Sequence, residues 1–256
     1  MNKKIIVLVI IILIILYIYF TRKREPPPPF EIVVARYNED LSFLKNAPFN
    51  EFPVICYNKG PVDSGCRAAG TCKKMIKLPN VGKCDHTYLH HIIQNYHNLA
   101  DVTFFIPGSC LMNSFKTSKT MRTFEYAKKT KNSVFIGLNL DNVAKDLYEF
   151  EIDEYVTTNR ENVKINSDGS MKRCEIRPFG KWYESNFGDL KITLADFTSI
   201  FAVSREHILQ HPRSHYEKLI SYLDDDVSPE CGHYMERSWV AVFSPIPNEC
   251  LYNSDG

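Results

Sequence analysis

The sequence has no excess of charge of either sign. Its 31 lysine and arginine residues are matched by 30 aspartate and glutamate residues, which gives a formal net charge of +1. Proteins that bind nucleic acid non-specifically need a basic surface that neutralises phosphates. The composition therefore argues against nucleic acid as a partner, while an apolar share of 44% is enough to build an ordinary globular core.

Several motifs of nucleotide and acyl chemistry are also missing. The chain contains no Walker-type phosphate loop, no GxGxxG fingerprint and no GxSxG nucleophile elbow. These patterns place backbone N–H groups around phosphates or expose a serine nucleophile. Phosphate-loop NTPases, dinucleotide-dependent enzymes and serine hydrolases of the α/β type therefore have no support from the sequence.

Cysteine is present, but not in the spacing of a zinc site. The eight cysteines include no CxxC pair, which leaves a zinc site weakly supported. An even number is compatible with disulfides in an oxidising compartment, and buried free thiols are the alternative. The chain has no Asn-x-Ser/Thr acceptor for N-glycosylation, so that signal gives a luminal position no support.

One long apolar run stands at the N-terminus. Ile5 to Phe20 are sixteen consecutive apolar or aromatic residues, with Lys4 before them and Arg22 shortly after. As a helix this run measures about 24 Å, and snorkelling of the flanking basic residues extends it toward a hydrocarbon core of about 30 Å. We predict an uncleaved membrane anchor over residues 5–21. A cleaved signal peptide is the alternative, although no small-x-small cleavage site follows the run.

The segments around this run complete the predicted organisation. Residues 1–4 form a short tail, residues 22–29 form a basic and proline-rich stem, and residues 30–256 form the globular domain. The consecutive prolines Pro26 to Pro29 favour a stiff polyproline spacer. We therefore predict a single-pass membrane protein, with the lipid bilayer as a partner. Basic residues on both sides of the run leave the orientation open.

Strand and helix patterns alternate along the domain. Buried strands are predicted at IVVAR, FPVICYN, VTFFI and SVFIGL, and helices over Asp85–Asn98, Thr117–Lys131 and Glu230–Phe243. DFTSIFAVSRE indicates a strand that turns into a helix at Ser204, and the polar stretch from Asn159 to Gly188 indicates a loop or hairpin. Short strands alternating with helices predict an α/β fold with a single, mainly parallel sheet flanked by helices.

Polar residues follow three of the predicted strands. Because ligands of parallel sheets bind beyond the carboxyl ends of the strands, we expect Arg36–Asp40, Asn58–Gly60 and Pro107–Cys110 on one rim. Asn38 and Glu39 could there hold a ribose or a base through hydrogen bonds. The alternative is that Asn38 or Asp40 caps the following helix.

Three further clusters each allow a chemical and a structural interpretation. His86 and His90 have the HxxxH spacing of a metal pair, or they form the polar rim of a half-buried helix. The run Asp224–Asp226 could bind magnesium, or it is an exposed acidic turn. Glu236, between His233 and Trp239, could act as a general base, or it pairs with a neighbouring side chain.

The order of these segments resembles a known family. The blocks VVARYNEDLSFL, YNKG, LPNVGKCDHTYLHHIIQNYHNLADVTFFIPG, FAVSREHILQHPRSHYEKLISYL and GHYMERSWVAVF resemble the uncharacterised family called domain of unknown function 3431. They cover most of the chain from Glu31 to Phe243. The blocks are similar, more distantly, to nucleotide-sugar glycosyltransferases of the A-type fold. Those enzymes begin with a strand followed by an Asn-Glu pair, end with a helix that carries an acidic residue, and are often anchored by one N-terminal helix and a stem.

The resemblance implies a site for a nucleotide sugar and a hydroxyl acceptor, on a glycosyltransferase A-like fold. Glu236 takes the position of the base that deprotonates the acceptor. The residues that the resemblance and the rim assign to substrate binding are Asn38, Glu39, Asn58, Lys59, Arg205, His233 and Arg237. Among these, the Asn-Glu pair and the YNKG turn would seat the nucleotide, His233 and Arg237 would lie near the diphosphate, and Arg205 would line the acceptor pocket.

The chain departs from the glycosyltransferase pattern at the central strand. A-type transferases usually place an Asp-x-Asp at the end of this strand to hold a metal and the sugar diphosphate, but VTFFIPGSC has no carboxylate and Asp101 precedes the strand. This departure argues against a divalent metal cofactor. Either cations such as Arg205 and Arg237 replace the metal, or this copy does not catalyse. The alternative function is a non-catalytic, membrane-tethered binding or structural module on the same scaffold.

Overall fold

The apolar run at the N-terminus forms a helix. A computed structural model describes residues 3–22, 26–61, 72–140, 144–154 and 171–254 of the chain. The first helix, α1, spans Lys3–Arg22. A search of the described residues for a helix with the length and hydropathy needed to cross a membrane finds none. The helix predicted for residues 5–21 is thus present, and the membrane anchor stays a prediction.

The remaining elements alternate between strand and helix in the predicted manner. The strands are β1 Phe30–Arg36, β2 Val54–Asn58, β3 Cys72–Lys77, β4 Val102–Pro107, β5 Val134–Asn139, β6 Leu194–Ala195, β7 Phe201–Ser204 and β8 Leu251–Asn253. The helices after α1 are α2 Lys83–Asn95, α3 Ser114–Thr130, α4 Ala144–Tyr148, α5 Phe179–Phe187, α6 Arg205–Leu209, α7 Arg213–Ile220 and α8 Glu230–Val242. Short 3₁₀ turns occupy Ser42–Lys45, Phe49–Glu51 and Asn248–Cys250.

The strands form one central sheet of mixed direction. Its order is β3-β2-β1-β4-β7-β5-β6, and β8 pairs with β5. The half formed by β3, β2, β1 and β4 is parallel, whereas β7 is antiparallel to both β4 and β5. The α/β fold with a helix-flanked sheet is therefore confirmed, and the expectation of a mainly parallel sheet holds for one half of it.

The parallel half contains a switch point in strand order. The chain leaves β1 to build β2 and β3 on one side, and then crosses back to place β4 on the other side of β1. Ala35 of β1 pairs with Tyr57 of β2 and with Pro107 of β4. The loops after these three strands therefore emerge side by side, at the place where open α/β sheets bind ligands.

Two hydrophobic layers cover the two faces of the sheet. Side chains of β1 alternate between them, because successive residues of a strand point to opposite faces. Val33 belongs to the layer formed with α2, α5, α7 and α8, and Val34 belongs to the layer formed with α3 and the 3₁₀ turns. Both residues are fully buried, which explains why β1 is a continuous apolar run.

The proline stem enters at the amino edge of the parallel strands. The carbonyl oxygens of Pro28 and Pro29 accept hydrogen bonds from the backbone N–H groups of Asp101 and Val102, at 3.1 and 3.0 Å. The last stem residues thus lie beside the start of β4. The polar loops after β1, β2 and β4 lie at the opposite edge of the sheet.

Both cysteine alternatives occur in the described residues. Cys174 and Cys231 form a disulfide that ties the segment before α5 to the first turn of α8, and Cys72 is also disulfide-bonded. Free thiols in the described part of the chain include those of Cys84, Cys110 and Cys250.

Candidate functional site at the carboxyl edge of the sheet

The turn after β1 is organised by Arg36. Its Nη1 donates to Oδ1 of the buried Asn58 at 2.8 Å, and its Nε donates to the carbonyl oxygen of Glu39 at 2.9 Å. One side chain therefore joins the loops that follow β1 and β2. This contact brings the predicted Asn38-Glu39 and Asn58-Lys59 pairs to the same rim.

Asn38 packs against Gly60 of the YNKG turn, and the close contact requires glycine at position 60. A Cβ atom on Gly60 would lie 1.6 Å from the carbonyl oxygen of Tyr37 and 2.7 Å from Oδ1 of Asn38. That Oδ1 is buried and has no hydrogen-bond partner in the described part of the chain. It is an acceptor that a ligand donor could satisfy, and it does not cap a helix.

Glu39 fills the switch point between β1 and β4. Its Oε2 accepts a hydrogen bond from the backbone N–H of Tyr37 at 2.7 Å, and a Cβ atom on Gly108 would lie 2.9 Å from the same oxygen. The predicted capping role is wrong for both candidates, because the N-cap of the 3₁₀ turn Ser42–Lys45 is Leu41 and no side chain caps it. Oδ1 of Asp40 accepts a hydrogen bond from the backbone N–H of Ser42 at 2.9 Å, within the turn itself. Glu39 is thus a half-buried carboxylate at the rim.

Lys59 connects the second loop to the start of α2. Its Nζ donates to the carbonyl oxygens of Val81 and Lys83. Burial lowers the pKa of Lys59 to about 7, because the charged form loses its hydration. Its position is at the rim, as predicted, and its ammonium is directed to backbone carbonyls that lead into α2.

The entry to α2 is a tight left-handed turn. Gly82 has a φ of 55° and Lys83 a φ of 46°, which is an uncommon conformation for a residue with a side chain. The backbone N–H of Gly82 donates to the carbonyl oxygen of Asp226 at 2.7 Å, and Oδ1 of Asp226 accepts from Ser228 at 2.8 Å. The acidic run at 224–226 is therefore a turn that packs against the start of α2.

Asp85, in the first turn of α2, joins three elements. Its Oδ1 accepts hydrogen bonds from the hydroxyl of Ser199 at 2.8 Å and from the indole N–H of Trp239 at 2.9 Å. Burial raises the pKa of Asp85 to about 6, although these two donors oppose the shift. The carboxylate holds α8 and the loop before β7 against the rim.

Glu236 lies one helical turn before Trp239 on α8. Its side chain is half-buried, and no hydrogen bond or ion pair in the described part of the chain holds its carboxylate. Burial and repulsion by Asp85 and Asp196 raise the pKa of Glu236 to about 8, against the attraction of Arg237 and Lys83. A carboxyl with a pKa near neutrality is suited to taking and giving protons.

His233 pairs with Lys83 beside this carboxylate. The ammonium of Lys83 lies 3.2 Å from Nε2 of His233, which it can approach because the imidazole is neutral. Burial and the charges of Lys83 and Arg237 lower the pKa of His233 to about 3. The amino group of Lys83 therefore lies next to His233 and close enough to Glu236 to interact with its charge.

Arg237 is engaged in aromatic contacts. Its guanidinium carbon lies 3.9 Å from the ring centroid of Phe150 and 4.9 Å from that of Phe197. Its Nη1 donates to the carbonyl oxygen of His233 at 2.7 Å. These contacts fix the guanidinium between two rings, as cation–π interactions do.

Arg205 lies at the opposite edge of the sheet. It follows Ser204, which pairs with Val102 at the start of β4, so about 20 Å of strand separates it from the rim. Its Nη2 lies 2.6 Å from the carboxylate of Asp101, and its Nη1 donates to Leu99. The structure therefore does not bring Arg205 together with the other predicted residues, because β7 is antiparallel to β4.

The histidines at HxxxH spacing are a stacked pair. The rings of His86 and His90 are 6.1 Å apart, and burial lowers the pKa of both. In the parts of the chain that the structure describes, no group of three His, Cys, Asp or Glu side chains is arranged to hold a metal ion.

Sequence reasoning missed three groups at the rim. Lys83 carried no signal because its left-handed backbone and its contact with His233 depend on the fold. Asp85 was predicted as the first residue of a helix, whereas the structure places it inside the first turn, after the N-cap residue Gly82. Asp196 is buried and accepts hydrogen bonds from Lys119 and from Thr198, which shapes the loop before β7.

One comparison with known proteins confirms the resemblance to the uncharacterised family. A search of curated proteins finds no match to the chain. The sequence profile of one family matches residues 32–255, which is nearly the whole of the domain that carries the rim. That family is described as "protein of unknown function (DUF3431)", and the chain belongs to it.

Proposed function

We propose that this protein transfers a sugar from a nucleotide donor to a hydroxyl acceptor at the carboxyl edge of its sheet. The observation that carries the proposal is Glu236, a half-buried carboxylate with no hydrogen-bond partner in the described chain and a pKa near 8. Carboxyl groups with strongly shifted pKa values cluster at functional sites, where proton transfer needs them. The distant resemblance to A-type glycosyltransferases gives the reaction class.

In this mechanism Glu236 takes the proton of the acceptor hydroxyl. The acceptor oxygen forms a bond to the anomeric carbon while the bond between that carbon and the phosphate oxygen breaks. The nucleoside diphosphate leaves with the electron pair of the broken bond. A base with a pKa near 8 holds the transferred proton well at neutral pH.

The negative charge that develops on the leaving diphosphate requires a cation. Arg205 is too distant and Arg237 is held between two aromatic rings. Lys83, beside Glu236 and His233, is the residue we assign to this role. Charge stabilisation by a positioned cation is among the larger contributions to such reactions.

The rim loops supply the nucleotide contacts in this proposal. Asn38 offers a buried, unsatisfied acceptor oxygen, and Glu39 offers a carboxylate at the switch point. Hydrogen bonds of this type select a base or a ribose, because an unsatisfied buried group is costly without its partner. Asn58 and Lys59 hold the second loop in position and act through it.

Membrane attachment is part of the proposal. The helix α1 would anchor the protein in a bilayer through the apolar run at residues 5–21, and the proline stem would separate it from the domain. Because the last stem residues lie at the amino edge of the sheet, the candidate site would open at the end of the domain remote from the stem.

The second candidate is a non-catalytic binding module. The loop after β4 carries no carboxylate to hold a metal, and Glu39 packs against Gly108 where a ligand could otherwise enter. If the protein is such a module, it has the same fold and the same rim loops but does not bind nucleotides.

Thermal unfolding of the full-length protein separates the two candidates. UDP-glucose, UDP-N-acetylglucosamine and GDP-mannose would be added singly, with and without manganese. A nucleotide sugar at 100 times its dissociation constant stabilises the folded state by about 2.7 kcal/mol. We expect stabilisation by one of them, equal with and without manganese. No stabilisation by any would favour the binding module.

A further inference from the structure

A second concave site lies on the helical side of the domain, between α4 and α5. This groove has a volume of about 410 Å³. Six side chains with ring or charged groups line it: Tyr148, Glu149, Lys181, Tyr183, Glu184 and Asp189. Its size is within the range of about 300–1,000 Å³ that small-molecule sites occupy.

Tyr183 is a largely buried residue that lines this groove. Only 2% of the residue is exposed, and its hydroxyl forms no hydrogen bond with any residue in the described ranges. The hydroxyl oxygen itself remains accessible to solvent. A hydroxyl in this position can donate a hydrogen bond to a ligand in the groove or accept one from it.

The groove combines aromatic rings with carboxylates. The rings of Tyr148 and Tyr183 meet edge to face, with centroids 6.2 Å apart. The three acidic side chains outnumber the single lysine, so the groove repels anions such as nucleotides and phosphates. Ionised carboxylates only accept hydrogen bonds, so the favoured ligand carries hydroxyl or N–H donors.

A second cavity adjoins this groove. It has a volume of about 210 Å³, and Tyr183 and Leu190 line both sites. Its lining also includes Arg237, the residue after Glu236 on α8. The groove is therefore separated from a cavity beside the helix of the proposed base by these shared residues.

We propose that the groove between α4 and α5 binds a neutral oligosaccharide. A sugar ring has an apolar C–H face for the ring of Tyr148 and hydroxyl donors for Glu149, Glu184 and Asp189. The hydroxyl of Tyr183 completes its hydrogen bonding with the same ligand. The further role of this oligosaccharide as the acceptor rests on the proposed transfer function, whereas its binding does not.

The test is binding of neutral oligosaccharides to the full-length protein in the absence of any nucleotide. Cellotriose, maltotriose, mannotriose and chitotriose would be titrated while protein NMR or calorimetric signals are followed. We expect saturable binding of at least one, reduced ten-fold or more by Tyr183→Phe and by Asp189→Asn. Glu217→Gln, whose residue pairs with Arg213 on α7, is the matched control and leaves the affinity unchanged.

The outcomes are distinguishable from those of the nucleotide experiment. Failure of every trisaccharide to bind the folded protein would overturn the proposal, and so would equal affinity in the groove variants. Binding of a lysine-rich peptide in place of the sugars, lost in Asp189→Asn, would show a different occupant and overturn it too. Binding of a trisaccharide without binding of any nucleotide sugar would support the oligosaccharide groove and contradict the proposed sugar transfer.

Discussion

The indole N–H of Trp239 donates a hydrogen bond to the carboxylate of Asp85 over 2.9 Å and joins α8 to the first turn of α2. Glu236 lies one turn earlier on α8, so the same contact keeps two carboxyl groups near each other. Their repulsion adds to burial and raises the pKa of Glu236. The position and the protonation of the proposed base therefore depend on a bond between residues 154 positions apart.

Replacement of Trp239 by phenylalanine tests this contact. Trp239→Phe leaves one lone pair of a buried carboxylate without its donor, which costs about 1–3 kcal/mol. The loss should be smaller at pH 5 than at pH 7, because Asp85 is protonated below its pKa of about 6. Urea denaturation at the two pH values measures it.

Trp182→Phe is the matched control for that variant. Trp182 is fully buried, but its indole nitrogen has no hydrogen-bond partner in the described chain. The control loses ring volume without losing a bond, so it should show no dependence on pH. Equal losses and equal pH dependence in the two variants would contradict the role of the Asp85 contact.

The different placements of Lys83 and Arg205 give a second prediction. Lys83→Met removes the ammonium beside Glu236 and should weaken nucleotide-sugar affinity about ten-fold, or about 1.4 kcal/mol. Arg205→Ala removes an exposed ion pair at the far edge and should leave that affinity unchanged, with a stability cost of about 0–1 kcal/mol. Titration of both variants with the nucleotide sugar measures the two affinities. A larger effect at Arg205 would show that the site lies elsewhere.

Buried histidines predict sensitivity to acid. Burial lowers the pKa of His86, His91 and His233 to about 3, while a histidine in the unfolded chain titrates near 6.5. Because these pKa values are lowered by folding, their contribution to stability is present above pH 6.5 and is lost as the pH falls toward 3. The free energy of unfolding should therefore decrease steadily between pH 6.5 and pH 4.

His91 offers the cleanest variant for this prediction. It faces Glu31, at 3.4 Å, and Tyr57, at 3.1 Å, on the inner side of α2. His91→Gln should flatten the decrease, as measured by denaturation across the pH range. Burial raises the pKa of Glu31 to about 7, so its contribution has the opposite sign and fades as the pH rises through 7. Glu31→Gln should therefore steepen the decrease, and an unchanged slope in both variants would contradict the account.

The disulfide at the start of α8 gives a prediction about stability. Cys174 and Cys231 are separated by 57 residues, and closing such a loop stabilises a fold by about 2–4 kcal/mol. The double variant Cys174→Ala, Cys231→Ala should lose this amount in chemical denaturation. Cys250→Ala, at a buried free thiol, is the control and should lose less. Equal losses would show that the bond does not constrain the chain.

The strands and the rim were predictable because both follow from local patterns. Continuous apolar runs marked β1 and β4, and the rule that ligands bind beyond strand ends placed Asn38 and Asn58 together. Arg205 was assigned to the same site by the resemblance to glycosyltransferases, and the sequence does not reveal that β7 is antiparallel to β4. In an antiparallel strand the carboxyl end lies at the other edge of the sheet.

The remaining differences also have physical causes. The stretch at 159–188 was predicted as a loop or hairpin, but Phe179–Phe187 is a helix that buries Phe179, Trp182 and Tyr183; residues 159–170 lie outside the described ranges. The helix is only nine residues long, so its apolar residues are too few to predict a helix from the sequence alone. They are buried because the helix packs against α8. The contact of Asp85 with Trp239 likewise depends on distant segments, which local patterns do not reveal.

The most direct test of the central claim is the pH dependence of donor turnover by the full-length protein and by Glu236→Gln. Release of the nucleoside diphosphate would be measured from pH 6 to pH 9 with the nucleotide sugar that stabilises the fold. We predict a kcat/KM that rises with pH and levels above about 8, where Glu236 is deprotonated. Glu236→Gln should retain donor affinity and lose about 10²–10⁴ in rate. An unchanged rate and pH profile in Glu236→Gln would contradict the assignment of Glu236 as the base.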